Sequence, residues 1–531
     1  MSAGKRFKAV PGWGWLLLLV VLTGAYIVRS HNVSAVFLWA DETDFFNAKL
    51  FRNPPQPLIP YVVGTRDATT NTWGWPAILW IAARIFGGTV QVARTPGVIA
   101  GTLLVAAMFF LIYNLLPDDF PGNRFVPALG ASLLAAIAMP QMEFSQRAYP
   151  YAAAPLMGAL LLLAHTHLYR KILVSQVSGA KAGVRPLLRA MAWYAVIGGF
   201  VVCIHPSLNI LVALSMLFLG IEIARVLAAS PGSERSRIIR WCIGVAMVIG
   251  ALLVLNRKNP KFGFRPYLAQ YYHEFSLRSV VKAIFHGYDL ATYHLNLFYN
   301  AALYWPERLN IVLLPLVILC AAGWWLSATG KYGPVARQLS RLAAAVIAVV
   351  AALSFFKLFP FGGVRQTLFL SPFLLVFTAL GIYALRANVA TRVAAGALTV
   401  GYLSLWTINL PKFYADRMIP YNEAELLTDW TQNGRVDVYP WYCQQTLEYV
   451  LRGHPEVPIV DSPPKAPFLL VSTRRRLDND GWWNPVNKYL RKSGYKATLI
   501  DEKLPAHPES LKYSGSLYFP PSGLWVYRVT E

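Results

Sequence analysis

Three acidic residues within four positions are the first candidates for chemistry in this chain. The segment FLWADETDFFNAKLF, residues 37–51, holds Asp41, Glu42 and Asp44 directly after a strongly apolar run. A carboxylate within about 3 Å of a hydroxyl can take its proton as the hydroxyl attacks. Acids beside a bilayer lose hydration and tend to mark function, although acids also favour a helix N-terminus through its dipole. The sequence is therefore compatible with two interpretations of these acids, an acid pair for proton transfer and an ordinary helix N-terminus.

A second polar group stands in QMEFSQRAYPYAAAP, residues 141–155, between two apolar runs. Glu143, Arg147 and Tyr149 are its polar features. Such residues can contact a polar substrate. They can also simply mark the membrane–water interface, because Tyr and Arg favour the interfacial depth of a membrane. We include all three among the candidate substrate-binding residues.

Two further segments add cationic and turn residues. His205 stands in CIHPSLN, where a tight turn is predicted, and a lone histidine there is more often a turn residue than a catalyst. We include His205 among the candidate substrate-binding residues. In FPFGGVRQTLFLSPF, residues 359–373, Arg365 begins an apolar run. Arginine binds phosphate in a bidentate, permanently charged manner. Gly362 and Gly363 before it allow a backbone to approach a ligand closely.

A basic cluster lies in residues 256–307. Its members are Arg257, Lys258, Lys261, Arg265, Arg278 and Lys282, and His273 lies among them. Long loops cross membranes regardless of their charge, so the cluster has a trivial explanation. It can also bind phosphate near the membrane surface. We count Arg265 and His273 among the candidate substrate-binding residues.

The composition indicates the elements that position these residues. Of 531 residues, 56% are hydrophobic and 14% are charged, whereas soluble domains carry about 25% charged residues. The formal net charge of +23 collects largely in short loops between apolar runs, as the positive-inside rule requires. This pattern indicates an integral membrane protein rather than a nucleic-acid-binding protein.

We predict a mainly α protein with about eleven membrane-spanning helices. The predicted spans are 13–29, 96–115, 126–142, 151–169, 190–204, 207–225, 238–255, 308–326, 341–356, 366–385 and 391–408. The N-terminal run resembles a signal peptide in its basic start, but no convincing cleavage site follows, so we interpret it as a retained helix. The short run at 74–88 contains Arg84 and is interpreted as an interfacial or re-entrant helix.

The basic loop at about 170–190 contains no acidic residue, so we place it in the cytoplasm. Alternation from there places residues 29–95, 256–307 and 409–531 on the extracytoplasmic face, together with the four polar segments above. Residues 1–408 then form the membrane domain. Residues 409–531 have no span and form a small soluble α/β domain. Its predicted strands are DVYPWY, FLLVST and SLYFPPSGLWVYRV, and YNEAELLTDWTQN is a predicted helix.

The three motifs W-A-D-E-T-D, S-Q-R-A-Y-P and P-F-G-G-V-R, in that order, resemble the GT-C superfamily of membrane glycosyltransferases. The resemblance is to the protein O-mannosyltransferase and aminoarabinose-transferase branch, and it covers most of the chain to about residue 408. It implies transfer of a sugar from a polyprenyl-phosphate carrier to a hydroxyl acceptor outside the cytoplasm, with inversion at the anomeric carbon. The acceptor can be a glycan, a lipid or a protein.

The resemblance also implies residue roles. By position, Asp41 matches the general base and Glu42 its neighbour, with Asp44 close by as a substrate-binding residue. Arg365 matches the late arginine near the lipid phosphate. Some branches hold a catalytic or metal-binding acid in the second loop, but Glu143 is displaced from the usual spot. Since we find no His-rich or DxD-type cluster, we predict no cofactor, and a divalent metal remains open although nothing in the sequence indicates one.

Other functions remain open. A transporter or flippase of lipid-linked glycans would place charges within its spans near the midplane, whereas the predicted spans are almost free of charge there. A polysaccharide ligase or polymerase also uses polyprenyl carriers, but does not need an acid pair after the first helix. The predicted location is a bacterial inner membrane, with the active site on the extracytoplasmic side.

Overall fold

A computed structural model of the chain describes most of the membrane region and part of the C-terminal region. The described residues are 12–33, 56–65, 72–118, 120, 123–178, 180–230, 232–255, 271–297, 311–415, 438–441, 465–472, 485–503 and 524–531.

Helices dominate the described residues. They are α1 (Gly12–Ser30), α2 (Leu58–Thr65), α3 (Gly74–Phe86), α4 (Val90–Leu115), α5 (Phe125–Ile137), α6 (Met139–Ser145), α7 (Ala153–Ser178), α8 (Ala180–Ile204), α9 (Leu208–Ala229), α10 (Gly232–Leu255), α11 (Leu277–His294), α12 (Leu314–Ala328), α13 (Pro334–Phe355), α14 (Ser371–Ala384), α15 (Val389–Ala415) and α16 (Pro485–Ser493). A 3-10 turn, Arg365–Leu370, leads directly into α14. The predicted mainly α class is confirmed.

Within the described residues, eight helices are long and apolar enough to cross a membrane, or nine if α5 and α6, bent by 57°, form one span. Each of the eleven predicted spans coincides with a helix. Two of these helices are not among those long and apolar enough to cross a membrane. They are α7, in which His165 and His167 interrupt the apolar run, and α12, which has only 15 residues. The polytopic helical membrane domain is thus confirmed, with fewer qualifying spans than the eleven predicted.

The predicted continuous span at 126–142 is wrong in one respect, because the helix breaks at Ala138. Pro140 lies in the first turn of α6 and has no N–H to donate back to α5. The freed carbonyls of Ala135 and Ala136 accept hydrogen bonds of 2.8 and 3.0 Å from the fully buried guanidinium of Arg29. The end of α1 therefore stabilises the break in a neighbouring helix.

The predicted cytoplasmic loop at 170–190 is also mostly helical. Helix α7 continues to Ser178 and α8 begins at Ala180. Charged residues need water but do not end a helix, so both helices extend beyond their apolar parts. Arg170 uses this extension to donate a 2.6 Å hydrogen bond to the carbonyl of Leu116 at the end of α4.

The polar segments 141–155, 203–209 and 359–373 meet at one end of the bundle, here called the motif end. Helix α1 ends there, where Gln146 donates to the carbonyls of Arg29 and His31. Helix α8 ends there too, since Thr72 donates to the carbonyl of Ile204. The last turn of α15 reaches it as well, because Phe413 packs against Met139 and Met142.

The chain segments after α1, α10 and α15 all leave from the motif end. Trp73 donates to the carbonyl of Leu255, the last residue of α10, so this helix ends there as well. The three long polar segments of the sequence therefore start at one end of the bundle, which the alternation of spans predicted.

In the described part of the C-terminal region, four strands form one sheet in the order β1-β2-β4-β3. They are β1 (Val438–Trp441), β2 (Phe468–Ser472), β3 (Lys496–Lys503) and β4 (Leu524–Thr530). Strands β1 and β2 are parallel, and the other pairs are antiparallel. Apolar residues alternate along β2 and β4 and pack with Leu490 of α16. The predicted α/β character is confirmed, while the helix predicted at 421–433 lies outside the described residues.

Candidate active site

The turn after α6 is held tightly against α4. A Cβ atom at Gly97 would lie 2.7 Å from the carbonyl oxygen of Arg147, and one at Gly101 would lie 2.6 Å from Cβ of Ser145. These glycines are four residues apart, the spacing that lets membrane helices approach closely. Any side chain at Gly101 would also meet Arg29, whose Nε lies 2.9 Å from the position of that Cβ. Small residues of α4 therefore fix the polar turn.

Glu143 and Arg147 form a buried ion pair on this turn. The guanidinium approaches Oε1 of Glu143 at 3.2 Å from Nη2 and 3.3 Å from Nε. Both residues are almost fully buried. Removing one partner of a buried pair is strongly destabilising, because the other charge has already lost its hydration. Glu143 and Arg147, two of the candidate substrate-binding residues, thus stabilise the turn by pairing with each other.

Three aromatic rings and one cation follow in a chain of contacts. Tyr149 stacks on Tyr151 with centroids 4.8 Å apart, and Tyr151 meets the ring of His205 at 4.9 Å. The guanidinium carbon of Arg365 lies 5.3 Å from the centroid of Tyr151. Cations are attracted to the face of an aromatic ring. Four predicted features, namely the ion-paired turn, Tyr149, His205 and Arg365, are therefore brought together through Tyr151, which we had not singled out.

The glycine turn before Arg365 is fastened to α11. Gly362 has φ 147°, a conformation that favours glycine, and a Cβ there would lie 2.6 Å from the ring of Tyr271. The N–H of Gly363 donates a 2.8 Å hydrogen bond to Oδ2 of Asp289. Both glycines are needed for this close approach, and Asp289 positions the turn that presents Arg365.

Tyr293 of α11 lies within electrostatic range of two candidate residues, Arg365 and Glu143. Burial raises the pKa of its phenol well above the ordinary value. The nearby Arg365 lowers this pKa, and Glu143, Tyr151 and Tyr271 raise it further. These interactions show that Tyr293 lies near both Arg365 and Glu143.

A buried hydrogen-bonded chain joins three elements behind these residues. Nδ1 of His294 lies 2.8 Å from Oγ of Ser371, which accepts a 2.8 Å hydrogen bond from the Gln141 amide. Nε2 of His294 lies 3.3 Å from Oγ1 of Thr367. Burial lowers the pKa of His294 to about 3, so the imidazole is neutral.

The directions of these hydrogen bonds assign the tautomer of His294. The hydroxyl of Thr367 donates to the carbonyl of Val364 at 2.6 Å, so its oxygen accepts from Nε2–H. Nδ1 then accepts from the hydroxyl of Ser371, whose oxygen is already an acceptor for Gln141. Every member of the chain is satisfied, and the chain fixes α6, α11 and α14 relative to one another.

The structure places His273 away from this chain, before the first turn of α11, whereas His294 is the last residue of that helix. Its Nδ1 lies 2.8 Å from Oγ of Ser354, and its ring contacts those of His286 and Phe355 at 4.9 and 5.1 Å. Burial lowers the pKa of His273, assisted by Lys282. His273 holds the start of α11 against the end of α13, so it positions the helix that carries Asp289 and Tyr293.

Asp289 is expected to make stability depend on pH. Burial raises the pKa of its carboxyl to about 6, although the Gly363 N–H lowers it. Since the unfolded value is about 3.9, the folded protein holds the proton more tightly. The contribution of Asp289 to stability is therefore fully present below about pH 4, falls as the pH rises to about 6, and is lost above, with a total change of about 3 kcal/mol.

The substitution Asp289→Asn should remove this fall and leave the chain folded, because an amide oxygen can still accept the hydrogen bond from Gly363. Thermal midpoints of the purified protein between pH 4 and 8 measure the difference. Asp118→Asn, at an exposed acid near the opposite end, is the matched control and should keep the wild-type slope between pH 4 and 6. A wild-type slope in Asp289→Asn as well would contradict the assignment.

Several predicted site residues cannot be placed. Asp41, Glu42, Asp44 and Arg265 lie outside the described residues. Arg94 marks the start of the segment that carries the three acids, because it is fully buried in α4 and donates a 2.7 Å hydrogen bond to the carbonyl of Val33. The first loop therefore starts at the motif end.

Among the described residues, no group of three or more His, Cys, Asp or Glu side chains could hold a metal ion. The acids of the first loop lie outside that search. A metal at this site is neither supported nor excluded by the described residues.

Sequence reasoning missed Tyr151, Asp289, Tyr293 and His294. Each stands in a helix or turn without a motif of its own. The segment HGYDLATYH, residues 286–294, does place Tyr293 four residues and His294 five residues after Asp289, and residues four apart lie on the same face of a helix.

No protein-family model matches the chain, and no curated protein matches it in sequence. Solved structures do match. Archaeal oligosaccharyltransferase AglB from Archaeoglobus fulgidus, in complex with an inhibitory peptide and a dolichol-phosphate, is 12% identical with a TM-score of 0.52, over 87% of this chain and 69% of that chain. The apo form of the Archaeoglobus fulgidus oligosaccharyltransferase is 14% identical with a TM-score of 0.50, over 96% of this chain and 71% of that chain.

ArnT from Cupriavidus metallidurans, bound to undecaprenyl phosphate, is 13% identical with a TM-score of 0.44 over 98% of each chain. The assignment of the fold rests on AglB, which is a GT-C membrane glycosyltransferase. At these identities a likeness shows the fold, and the resemblance to a particular branch stays a prediction. This chain therefore has the fold of the GT-C superfamily of membrane glycosyltransferases, as its three motifs predicted.

Proposed function

We propose that this protein is an inverting glycosyltransferase that moves a sugar from a polyprenyl-phosphate donor to a hydroxyl acceptor. The motif end of the bundle is its active site and faces the extracytoplasmic side of a bacterial inner membrane. Residues 1–408 form the catalytic membrane domain, and residues 409–531 form an extracytoplasmic domain. The observation that carries the proposal is Arg365, a cation held over Tyr151 where a membrane helix begins, beside a buried acid–base pair.

Arg365 is suited to the phosphate of the donor. It is half-buried and is the first residue of the 3-10 turn that leads into α14. The N-terminal end of a helix carries partial positive charge from its free N–H groups, which adds to that of the guanidinium. A donor whose tail lies in the bilayer would bring its phosphate to this depth. Arg365 then stabilises the negative charge that grows on the leaving phosphate.

The proton of the acceptor hydroxyl goes to Asp41, with Glu42 as its neighbour. The acceptor oxygen forms a bond to the anomeric carbon as the bond from that carbon to the phosphate oxygen breaks. The electron pair of the broken bond leaves with polyprenyl phosphate. A single displacement inverts the anomeric configuration. Asp44, Tyr149, His205, Arg265 and the Glu143–Arg147 pair are proposed to shape the substrate site.

Gln366 is proposed to contact the donor sugar. It follows Arg365 directly and is only 8% exposed. Neither its amide oxygen nor its amide nitrogen has a hydrogen-bond partner within the described part of the chain. A buried polar group without a partner costs about 1–3 kcal/mol. An amide offers one donor side and one acceptor side, which match two neighbouring sugar hydroxyls.

Gln366→Leu should therefore stabilise the free protein and impair transfer. We expect a higher thermal midpoint, because the substitution removes an unsatisfied amide, together with a fall of about tenfold in kcat/KM, the value of one lost hydrogen bond. Gln146→Leu is the control, since its amide donates to Arg29 and His31 and its loss should lower the midpoint. If Gln366→Leu lowers the midpoint and activity in step, Gln366 has a structural role only.

A transporter of lipid-linked glycans would move the donor without breaking it, which gives a direct test. Purified protein in detergent is given synthetic polyprenyl-phosphate sugars and a panel of hydroxyl acceptors, with and without EDTA. Release of free polyprenyl phosphate together with a glycosylated acceptor supports the proposal. Intact donor across the panel, with folded protein confirmed by its thermal transition, would overturn it and favour transport or binding.

A further inference from the structure

Helix α11 exposes an apolar stripe that nothing in the described part of the chain covers. Leu277, Ile284 and Phe285 are 83%, 70% and 55% exposed, and Val280 and Val281 about half exposed. Their spacing of three and four residues places all five on one side of the helix. Helix α11 is not among the helices long and apolar enough to cross a membrane. An exposed apolar stripe on a helix that does not span is the pattern of an interfacial helix.

The start of α11 lies at the level where a membrane span ends. Phe275, which precedes the helix, contacts the rings of Phe355 and Phe356 at 5.6 and 5.4 Å. Phe355 is the last residue of the candidate span α13. The exposed Phe356 and Leu358 extend the stripe of α11 onto this span end. The first turn of α11 is therefore held at the edge of the apolar layer.

The far end of α11 is fastened to the bundle. The carbonyl of Asn296, two residues beyond the helix, accepts a 2.8 Å hydrogen bond from the N–H of Met139 at the break between α5 and α6. Asp289 binds the turn before α14, as described above. With this side of the helix against the protein, the stripe on the opposite side faces outward, into the surroundings of the membrane domain.

Two exposed cations flank the stripe. Arg278 and Lys282 are four residues apart in the first half of α11, and both are exposed. They are the members of the basic cluster at 256–307 that the structure describes. A basic flank beside an apolar stripe suits the boundary between acyl chains and anionic headgroups, where each nearby cation contributes about 1 kcal/mol of attraction.

We propose that α11 is a membrane-interface helix whose apolar stripe enters the acyl-chain boundary and whose Arg278 and Lys282 bind anionic lipid headgroups. Because the same helix carries Asp289, Tyr293 and His294 on its protein side, the bilayer holds the active site in place. This consequence for activity rests on the proposed glycosyl transfer, whereas the membrane contact itself does not. The partner is thus the lipid surface, and Arg278 and Lys282 are not the ligands of the donor phosphate.

A depth measurement tests the membrane contact without any activity. In a variant with its four cysteines replaced, Ile284→Cys or Lys331→Cys is labelled with an environment-sensitive fluorophore and placed in phosphatidylcholine vesicles. Lys331 is exposed on a turn at the end opposite to the motif end. Brominated lipids should quench the probe at position 284 about threefold more than that at 331. Equal quenching with an aqueous emission maximum at 284 would overturn the proposal.

The headgroup contact is tested with the same probe at position 284. Replacing part of the phosphatidylcholine by phosphatidylglycerol should increase quenching at low salt, and high salt should reverse this. Arg278→Gln with Lys282→Gln should lose the response. Arg237→Gln with Arg240→Gln, two exposed cations near the start of α10, should keep it. The same response in both double variants would show that Arg278 and Lys282 do not bind the headgroups.

Donor turnover in the same vesicles then tests the link to the active site. Wild-type activity should rise severalfold with the phosphatidylglycerol fraction, and the variant with both α11 cations replaced should not respond. A vesicle panel with no turnover in any protein would count against the proposed function, while the probe results would still decide the membrane contact. A normal lipid response of activity in the α11 double variant would overturn the coupling.

Discussion

Arg365→Ala is expected to lower kcat/KM for a polyprenyl-phosphate donor by about 10²–10³-fold, the usual effect of removing one group that stabilises developing charge. The loss should exceed any loss of stability. In the folded protein the Arg365 guanidinium lies over Tyr151 at 5.3 Å, and such a contact contributes about 0.5–1 kcal/mol at an exposed site and more when desolvated. Arg365→Lys should give an intermediate rate, because lysine keeps the charge but loses bidentate geometry.

The chain offers a closely matched control for this substitution. Arg386 follows the same helix at its other end, and its guanidinium carbon lies 3.7 Å from the ring centroid of Tyr383. Arg386→Ala therefore removes a cation from a tyrosine face without touching the motif end. Both variants should lose similar stability, and only Arg365→Ala should lose turnover. If purified Arg365→Ala turns over normally, the arginine does not contact the phosphate.

The membrane architecture was predictable because its physical cause is local. A bilayer core needs about 20 apolar residues per helix, and such runs can be read directly from the chain. Alternation of direction then predicted that α1, α10 and α15 end on the same side, and the structure has these three helix ends together at the motif end. The break at Ala138 was missed although Pro140 was visible, because its stability depends on Arg29, 106 residues earlier along the chain than Ala135.

The candidate site was predictable only where a motif marked it. Glu143, Arg147, Tyr149, His205 and Arg365 were found, and the structure brings them together around Tyr151. The contribution of α11 was not found. Asp289 and His294 act through partners more than 70 residues away, Gly363 and Ser371. Such pairings come from the tertiary fold and leave no periodic signal in a single sequence.

The prediction for His273 shows a second kind of limit. A histidine in a basic loop near a membrane surface was expected to bind substrate. Its side chain is only 1% exposed and meets Ser354 and Phe355 at the end of α13, so the structure shows a positioning role, and substrate binding by His273 stays a prediction. Burial and hydrogen bonding decide the role of a histidine, and neither can be read from its neighbours in sequence. His273 holds α11 in place, and α11 carries Asp289 and Tyr293, so His273 acts on the site indirectly.

Asp41→Asn is expected to have the largest effect on chemistry and little effect on stability. A general base contributes about 10²–10⁴-fold, and asparagine cannot take the acceptor proton. Glu143→Gln should behave in the opposite way. Its carboxylate faces the buried guanidinium of Arg147 at 3.2 Å, and removing one charge of a buried pair costs about 3–5 kcal/mol. The two carboxylates of the motifs are thus separable by measuring turnover and thermal midpoint on the same samples.

Asp44→Asn is the control for Asp41, since it removes one negative charge from the same loop. A fall in turnover of two orders of magnitude or more in Asp41→Asn, with an unchanged midpoint and a smaller effect in Asp44→Asn, assigns the base to Asp41. Equal activity of Asp41→Asn and wild type would move the base to Glu42 or Glu143. Glu143 would be favoured only if Glu143→Gln lost turnover while keeping its midpoint, a result that the buried pair with Arg147 argues against.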